Sequence, residues 1–227
     1  MNSSPVLQVI AHIHNDFPEK FGIPRQSGLV PELISTIVFE PAYRQREALR
    51  GLEGYSHIWL LWLFSENMDA AWTPTVRPPR LGGNRRVGVF ATRSPFRPNP
   101  VGLSSVRLEG IEHTKTDGTV LKISGADLKD GTPIVDIKPY IAYTDSHPDA
   151  VSGFADEVKE YRLAVDFPPE LLCRVPFEHR TALMAVLEQD PRPSYQQDAK
   201  RIYAMGFAKQ QIHFRVADGI LTVVAVE

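Results

Sequence analysis

The sequence predicts a mainly β chain, with an antiparallel β-barrel in its N-terminal part and a smaller α+β domain after it. Three observations predict this. Between Val6 and Ile141 lie seven short runs rich in Val, Ile or aromatics, each bounded by Gly, Pro, Asp or Asn. A helical pattern interrupts them once, and short strands with so little helix between them favour a barrel or sandwich over a doubly wound sheet. After Ser146-His147-Pro148-Asp149 the texture becomes mixed. That change divides the chain into residues 1–148 and 149–227.

The predicted strands are Val6 to Ile13, Ile34 to Phe39, Tyr55 to Phe64, Val87 to Ala91, Val101 to Leu108, Val120 to Ser124 and Ile134 to Ile141, with helix expected only over Arg44 to Leu52. In the second part, a strand-like stretch from Val158 to Phe167 precedes Pro168-Pro169. A helix follows from Phe177 to Glu188, with Leu183, Val186 and Leu187 on one face. The turn Asp190-Pro191-Arg192-Pro193 then leads to strands Ile212 to Val216 and Ile220 to Val226. Asp218-Gly219 between these two is a hairpin signal.

Composition removes several classes. With 43% hydrophobic and 23% charged residues the chain is that of a soluble globular protein, not a disordered or fibrous one. The longest apolar run, Ile58 to Phe64, is far short of the ~20 residues that cross a bilayer. The N-terminal MNSSPVLQVIAH has neither a basic nor an apolar leader segment, so the expected compartment is the cytoplasm. The single cysteine, Cys173, is expected as a buried apolar residue. Neither GxGxxG nor GxxxxGK[ST] occurs, which leaves a Rossmann or P-loop site without support.

The net charge of −2 averages away an asymmetry. From Ala70 to Leu108 there is no Asp, Glu or Lys but seven Arg: Arg77, Arg80, Arg85, Arg86, Arg93, Arg97 and Arg107. An all-Arg block favours planar, bidentate recognition of phosphate or carboxylate over mere solubility. Within it, ATRSPFRPNPVG carries Pro95, Pro98 and Pro100, which fix φ and push the preceding Ser94, Arg97 and Asn99 toward extended conformations. A stiff segment of this kind aims Arg93, Phe96, Arg97 and Asn99 in fixed directions.

In IVDIKPYI, strand alternation puts Asp136, Lys138 and Tyr140 on one face. A carboxylate, an ammonium and a phenol there can pair and still meet a ligand. The turn before it, Asp127-Leu128-Lys129-Asp130-Gly131-Thr132-Pro133, adds two carboxylates. His12 and His14 share a strand face but have no third ligand at metal spacing, so no metal is expected. His57 reads as a hydrogen-bonded strand-end residue, and Gly102-Leu103-Ser104-Ser105 is not a GxSxG elbow.

The segments FGIPRQSGLV, GLEGYSHIWLLWLF, RPPRLGGNRRVGVFATRSPFRPNPVG and DLKDGTPIVDIKPY, with QDPRPSY near Gln189, resemble the bacterial tRNA N6-methyltransferases that act on threonylcarbamoyladenosine. The likeness is dense from about Phe21 to Tyr140 and thinner to the C-terminus. It implies a β-barrel that binds S-adenosylmethionine, homodimerisation, and methylation of the modified adenosine beside the anticodon of threonine tRNA. The cofactor pocket it implies uses Pro24, Arg25, Gln26, Ser65, Glu66, Arg93, Leu103, Asp127, Leu128, Lys129 and Asp130. Ser65-Glu66 depart from the His-Gln expected of the family at that point.

For the chemistry, a nearby base must take the proton of N6 during or after in-line attack, and a carboxylate on a rigid strand is the economical candidate. Asp136 is the first candidate, with Lys138 orienting it or gripping the carbonyl and Tyr140 or Tyr195 shaping the pocket; Asp130 is an alternative base. Arg77, Arg80, Arg85, Arg86 and Arg97, with Arg192 of the C-terminal segment, are the expected contacts to anticodon-loop phosphates. A noncatalytic RNA-binding module is the competing class, and the Arg block would serve it equally well.

Overall fold

The computed structural model describes residues 6–78, 85–158, 161–192, 196 and 198–227. Arg80 and Tyr195 lie outside the described residues.

Six strands form one antiparallel sheet: β1 (Ala11–His14), β2 (Ile34–Phe39), β3 (His57–Leu63), β6 (Val101–Thr114), β7 (Gly118–Ser124) and β8 (Pro133–Pro139). The short β4 (Thr75–Val76) and β5 (Val87–Gly88) pair apart from it. The order is β1-β2-β7-β6-β3-β8, and β8 pairs back onto β1, so the sheet closes on itself with no free edge. Alternation is the cause. In β3 the even positions Ile58, Leu60 and Trp62 are buried while Trp59, Leu61 and Leu63 are only partly covered. Inward residues of the other strands, among them Ile13, Ile37, Val106, Leu121 and Ile134, complete that core.

A second core belongs to the sheet β10 (Tyr203–Phe207), β11 (Gln210–Ala217), β12 (Ile220–Val226) and β9 (Ala164–Asp166). Onto this sheet packs α3 (Phe177–Glu188), burying Leu183, Val186 and Leu187; the described helices also include α1 (Ala142–Asp145) and α2 (Pro169–Leu172). Burial of a Leu or Phe side chain stabilises by roughly 1.5–3 kcal/mol. This core also takes in Phe17, Val30 and Leu33 from the segment between β1 and β2, which straps the two sheets together. Gly22 stands at φ +98 in that strap, where an added Cβ would fall 2.1 Å from the Met205 sulfur. Asp16 pairs with His179 of α3 at 2.9 Å, and Glu19 accepts a hydrogen bond from the Gly206 amide at 3.0 Å.

Several expectations are corrected. Residues 44–52 form no α-helix but short 3-10 turns, Arg46–Leu49 and Leu52–Gly54, because Arg50 is extended and Gly51 left-handed at φ 90. The first strand begins at Ala11, leaving Val6 and Leu7 exposed, and Val89–Ala91 is a 3-10 turn. β6 runs on to Thr114 because an irregularity between Leu108 and Gly110 absorbs the glycine without ending the pairing. Among the described residues of the stretch from Val158 to Phe167, the strand is Ala164–Asp166. Cys173 is exposed, since α2 ends at Leu172 and the cysteine is the residue that caps it.

Candidate active site

One end of the closed sheet gathers the chemistry. There β3 ends at Leu63 opposite Val101 of β6, β7 ends at Ser124 opposite Ile34 of β2, and β8 begins beside Trp62. The loops that emerge are therefore 15–33, 64–74, 89–100 and 125–132. They carry most of the implied pocket.

The turn 127–130 is held from several sides. Asn15 donates its side-chain amide to the Leu128 carbonyl at 2.7 Å and its backbone N–H to Asp130 Oδ1 at 3.1 Å, while its Oδ1 accepts from the Phe17 amide at 2.9 Å. His14 lies 3.3 Å from the same Asp130 oxygen. Lys129 binds Glu66, which also pairs with Lys20 at 2.9 Å. Those hydrogen bonds, from Lys129 first, hold the Glu66 carboxyl below its usual range. The departure at Ser65-Glu66 thus has a structural consequence: the carboxylate anchors the turn through Lys129.

Asp127 sits deeper. Burial pushes its carboxyl up, and Ser104 Oγ opposes that by donating to Oδ1 at 2.6 Å, with Arg93 nearby. Arg93, aimed by the Pro-rich segment, donates to Gln26. Arg97 does not face outward: it donates to the Thr92 carbonyl at 2.7 Å and lies 5.7 Å from the Phe90 ring, stitching its own loop. Leu103 is half exposed on the outer face of β6. It lies in one row with Leu61 and Asp136, since Leu61 pairs with Leu103 on one side and with Asp136 on the other.

Asp136 pairs with Lys138 at 2.9 Å and accepts from the Ile137 amide at 2.9 Å, so the polar face expected of this strand is present. Tyr140 packs against Trp59 at 5.5 Å between ring centroids and its amide reaches the His57 carbonyl. At ~3.3 Å per residue it stands roughly 20 Å along β8 from the turn, at the other end of the sheet. Within one chain Tyr140 does not join the site, because the alternation that aligns it with Asp136 also carries it away.

Two arginines are engaged within the chain. Arg25 donates to the main-chain carbonyls of Arg192 at 2.7 Å and Asp190 at 3.3 Å. Arg192 is buried and forks onto the Asp190 carboxylate at 2.8 and 3.0 Å, so it does not offer its guanidinium to RNA. Arg77, Arg85 and Arg86 are exposed, Arg86 donating to Thr75. Missed by sequence reasoning were Asn15, Ser104 and Trp62, whose partners are distant in the chain. His12 pairs with Glu40 at 2.8 Å, and His57 contacts Ser56 at 2.9 Å.

The family model for the tRNA-methyltransferase O N-terminal domain matches residues 12–146, and that for the TrmO C-terminal domain matches residues 160–227. A tRNA (adenine(37)-N6)-methyltransferase of Escherichia coli K12 is 42% identical over 233 residues, covering 99% of each chain. A Pseudomonas aeruginosa protein named for S-adenosylmethionine-dependent methyl transfer is 44% identical over 214 residues, covering 90% of each. The crystal structure of TrmO from Pseudomonas aeruginosa superposes with a TM-score of 0.78 at 35% identity, covering 99% of this chain and all of that one.

Proposed function

This chain belongs to the tRNA-methyltransferase O family, and from that premise we propose that it methylates N6 of the adenosine at position 37 of tRNA, with S-adenosylmethionine as methyl donor. The finer reading is that the base is threonylcarbamoyladenosine in threonine tRNA, that the enzyme works in the cytoplasm as a homodimer, and that the closed sheet of a 1–148 domain is the donor-binding β-barrel beside an α+β domain of 149–227. Membership of an enzyme family sets aside the noncatalytic RNA-binding module.

The observation that carries this reading is the convergence of Gln26, Arg93, Asp127 and the Glu66–Lys129 pair at one end of the sheet. This donor set suits a molecule with a cation, a carboxylate and an apolar base. Asp127 supplies a negative partner, Arg93 a positive one, and Leu103 an exposed apolar surface. When bound, S-adenosylmethionine supplies an activated methyl on a positive sulfonium, so the protein's task is positioning and proton removal. Asp136 accepts the N6 proton at a carboxylate oxygen, and Lys138, already 2.9 Å away, orients that carboxylate. Asp130 is the less suitable base, since Asn15 and His14 hold it in the turn. Nucleoside mass spectrometry of tRNA before and after incubation with enzyme and donor tests the activity; threonine tRNA lacking the threonylcarbamoyl group tests the finer substrate.

Replacing Arg93 or Gln26 by Ala weakens donor affinity about ten- to a hundredfold, the usual worth of a hydrogen bond to a charged group, with little change in tRNA affinity. Calorimetry with S-adenosylmethionine checks this, and unchanged affinity in both variants would remove the loop 24–26 and Arg93 from the pocket. The exposed arginines are read by salt. Each phosphate contact contributes ~0.7 to the slope of log K against log salt for single-stranded RNA. Arg77→Ala, Arg85→Ala and Arg86→Ala therefore each flatten the slope by somewhat less than one unit where that residue meets RNA. Wild-type slopes in all three would assign the exposed arginines to another role.

A further inference from the structure

Within the closed sheet, Trp62 of β3 donates its indole N–H to Ser104 Oγ of β6 at 3.0 Å, and Ser104 donates to Asp127 Oδ1 at 2.6 Å. Both neighbours are buried, Ser104 at 1% exposure and Trp62 at 9%. The polarity of this chain is fixed by its first member. An indole N–H can only donate, so the serine oxygen accepts there and its single proton is left for the carboxylate. Every proton in the series then points at Asp127, and backbone N–H groups, including that of Ser27, add to it. Successive donors polarise one another and favour the ionised carboxyl against the cost of burial.

The packing shows that the chain is built in. Gly102, two residues before Ser104, has no room for a side chain, because a Cβ would lie 2.2 Å from the Trp62 ring. Phe64 closes the other side of that ring at 4.3 Å between centroids. The indole is thereby held with its N–H toward Ser104. Of the charged groups around Asp127, Arg93 faces it from the Pro-rich loop, whereas Lys129 and Asp130 of its own turn are engaged by Glu66 and by Asn15 and His14.

We propose that Ser104 and Trp62 are positioning residues that hold Asp127 as a buried anion, ready to pair with a cationic group of the methyl donor. This rests on the assignment of the turn 127–130 to the donor pocket. The donor carries two positive groups, its sulfonium and its amino group, and Asp127 suits either.

The test is a pH titration of the Asp127 carboxyl carbon by NMR in the free protein, paired with calorimetry using S-adenosylmethionine and S-adenosylhomocysteine. In Ser104→Ala the midpoint rises by about one to two pH units, the equivalent of one hydrogen bond to a charge. Trp62→Phe raises it less, and Ser104→Thr, which keeps the hydroxyl, restores it. Because the carboxylate is the binding form, donor affinity in Ser104→Ala falls away at a higher pH than in wild type as the pH is lowered. A loss confined to S-adenosylmethionine places the sulfonium at Asp127, and a loss shared with S-adenosylhomocysteine places the amino group there. A wild-type midpoint in Ser104→Ala, or in Trp62→Phe should the first not fold, overturns the proposal. Asp127→Asn separates the two readings. Wild-type donor affinity in that variant removes the turn from the pocket, whereas weakened affinity with an unshifted midpoint in Ser104→Ala removes the relay alone.

Discussion

Replacing Asp136 by Asn lowers turnover about 10²–10⁴-fold, the usual cost of losing a general base, and leaves donor affinity largely unchanged. Asn keeps the shape of the side chain and removes its capacity to take the N6 proton. The fold is not at stake. The partner Lys138 is 62% exposed and Asp136 itself 43%, so their ion pair contributes at most about 1 kcal/mol after solvent screening. A rate loss in a variant with a wild-type melting transition therefore reports chemistry. The control is Asp130→Asn, which disturbs the hydrogen bond from Asn15 and so loosens the turn, reading out in donor affinity before turnover. Single-turnover methylation of tRNA, with thermal unfolding of each variant, measures both. Near-normal methylation by Asp136→Asn would falsify the assignment of the base to β8.

What the sequence made legible follows the range of the forces involved. β2, α3 and β12 are found where periodicity and bounding turn residues place them, because both signals are local. The hairpin at Asp218-Gly219 is readable since both residues tolerate their positive φ of 50 and 76. Its neighbour, joining β10 to β11, is not. Ala208 and Lys209 adopt φ 49 and 66 without a glycine or asparagine to announce the turn, and Gly206 stands inside β10, paired with Gln211, although a glycine weakens the strand pattern in sequence. Arg44 to Leu52 has helical spacing, but Gly51 breaks it within a turn. At the site, the polar face of β8 was readable from alternation, whereas the Pro-rich segment announced a stiff Arg93 but not its partner Gln26, 67 positions away. The Trp62–Ser104–Asp127 series joins residues 42 and 23 positions apart, and Arg25 reaches carbonyls 165 and 167 positions away. Nothing local encodes such partners, so an arginine that fastens the 15–33 loop to the segment after α3 looks in sequence like one that grips a ligand.

Arg192 is the sharpest case, and Arg192→Ala lowers stability by about 3–5 kcal/mol, as removal of one partner from a buried ion pair does. Its guanidinium and the Asp190 carboxylate are 10% and 9% exposed and meet in a fork at 2.8 and 3.0 Å. Without the arginine side chain, the Tyr161 hydroxyl at 3.1 Å and the backbone N–H of residue 192 at 3.3 Å still donate to Asp190, but neither carries the positive charge that compensates the buried carboxylate. The damage spreads, because Arg25 is fastened to the carbonyls of Asp190 and Arg192 and lies between Pro24 and Gln26 of the pocket. Donor affinity therefore falls in Arg192→Ala although the residue itself does not line the pocket. The double variant with Asp190→Asn loses less than the sum of the two single losses, since the uncompensated carboxylate is gone; the difference is the coupling within the pair. Urea denaturation of the four proteins measures it. The slope of tRNA affinity against salt stays at the wild-type value in those variants that remain folded, because a guanidinium spent on Asp190 releases no counterions from RNA. A flattened slope combined with unchanged stability would return Arg192 to the RNA-binding surface and make its fork with Asp190 an exchangeable contact.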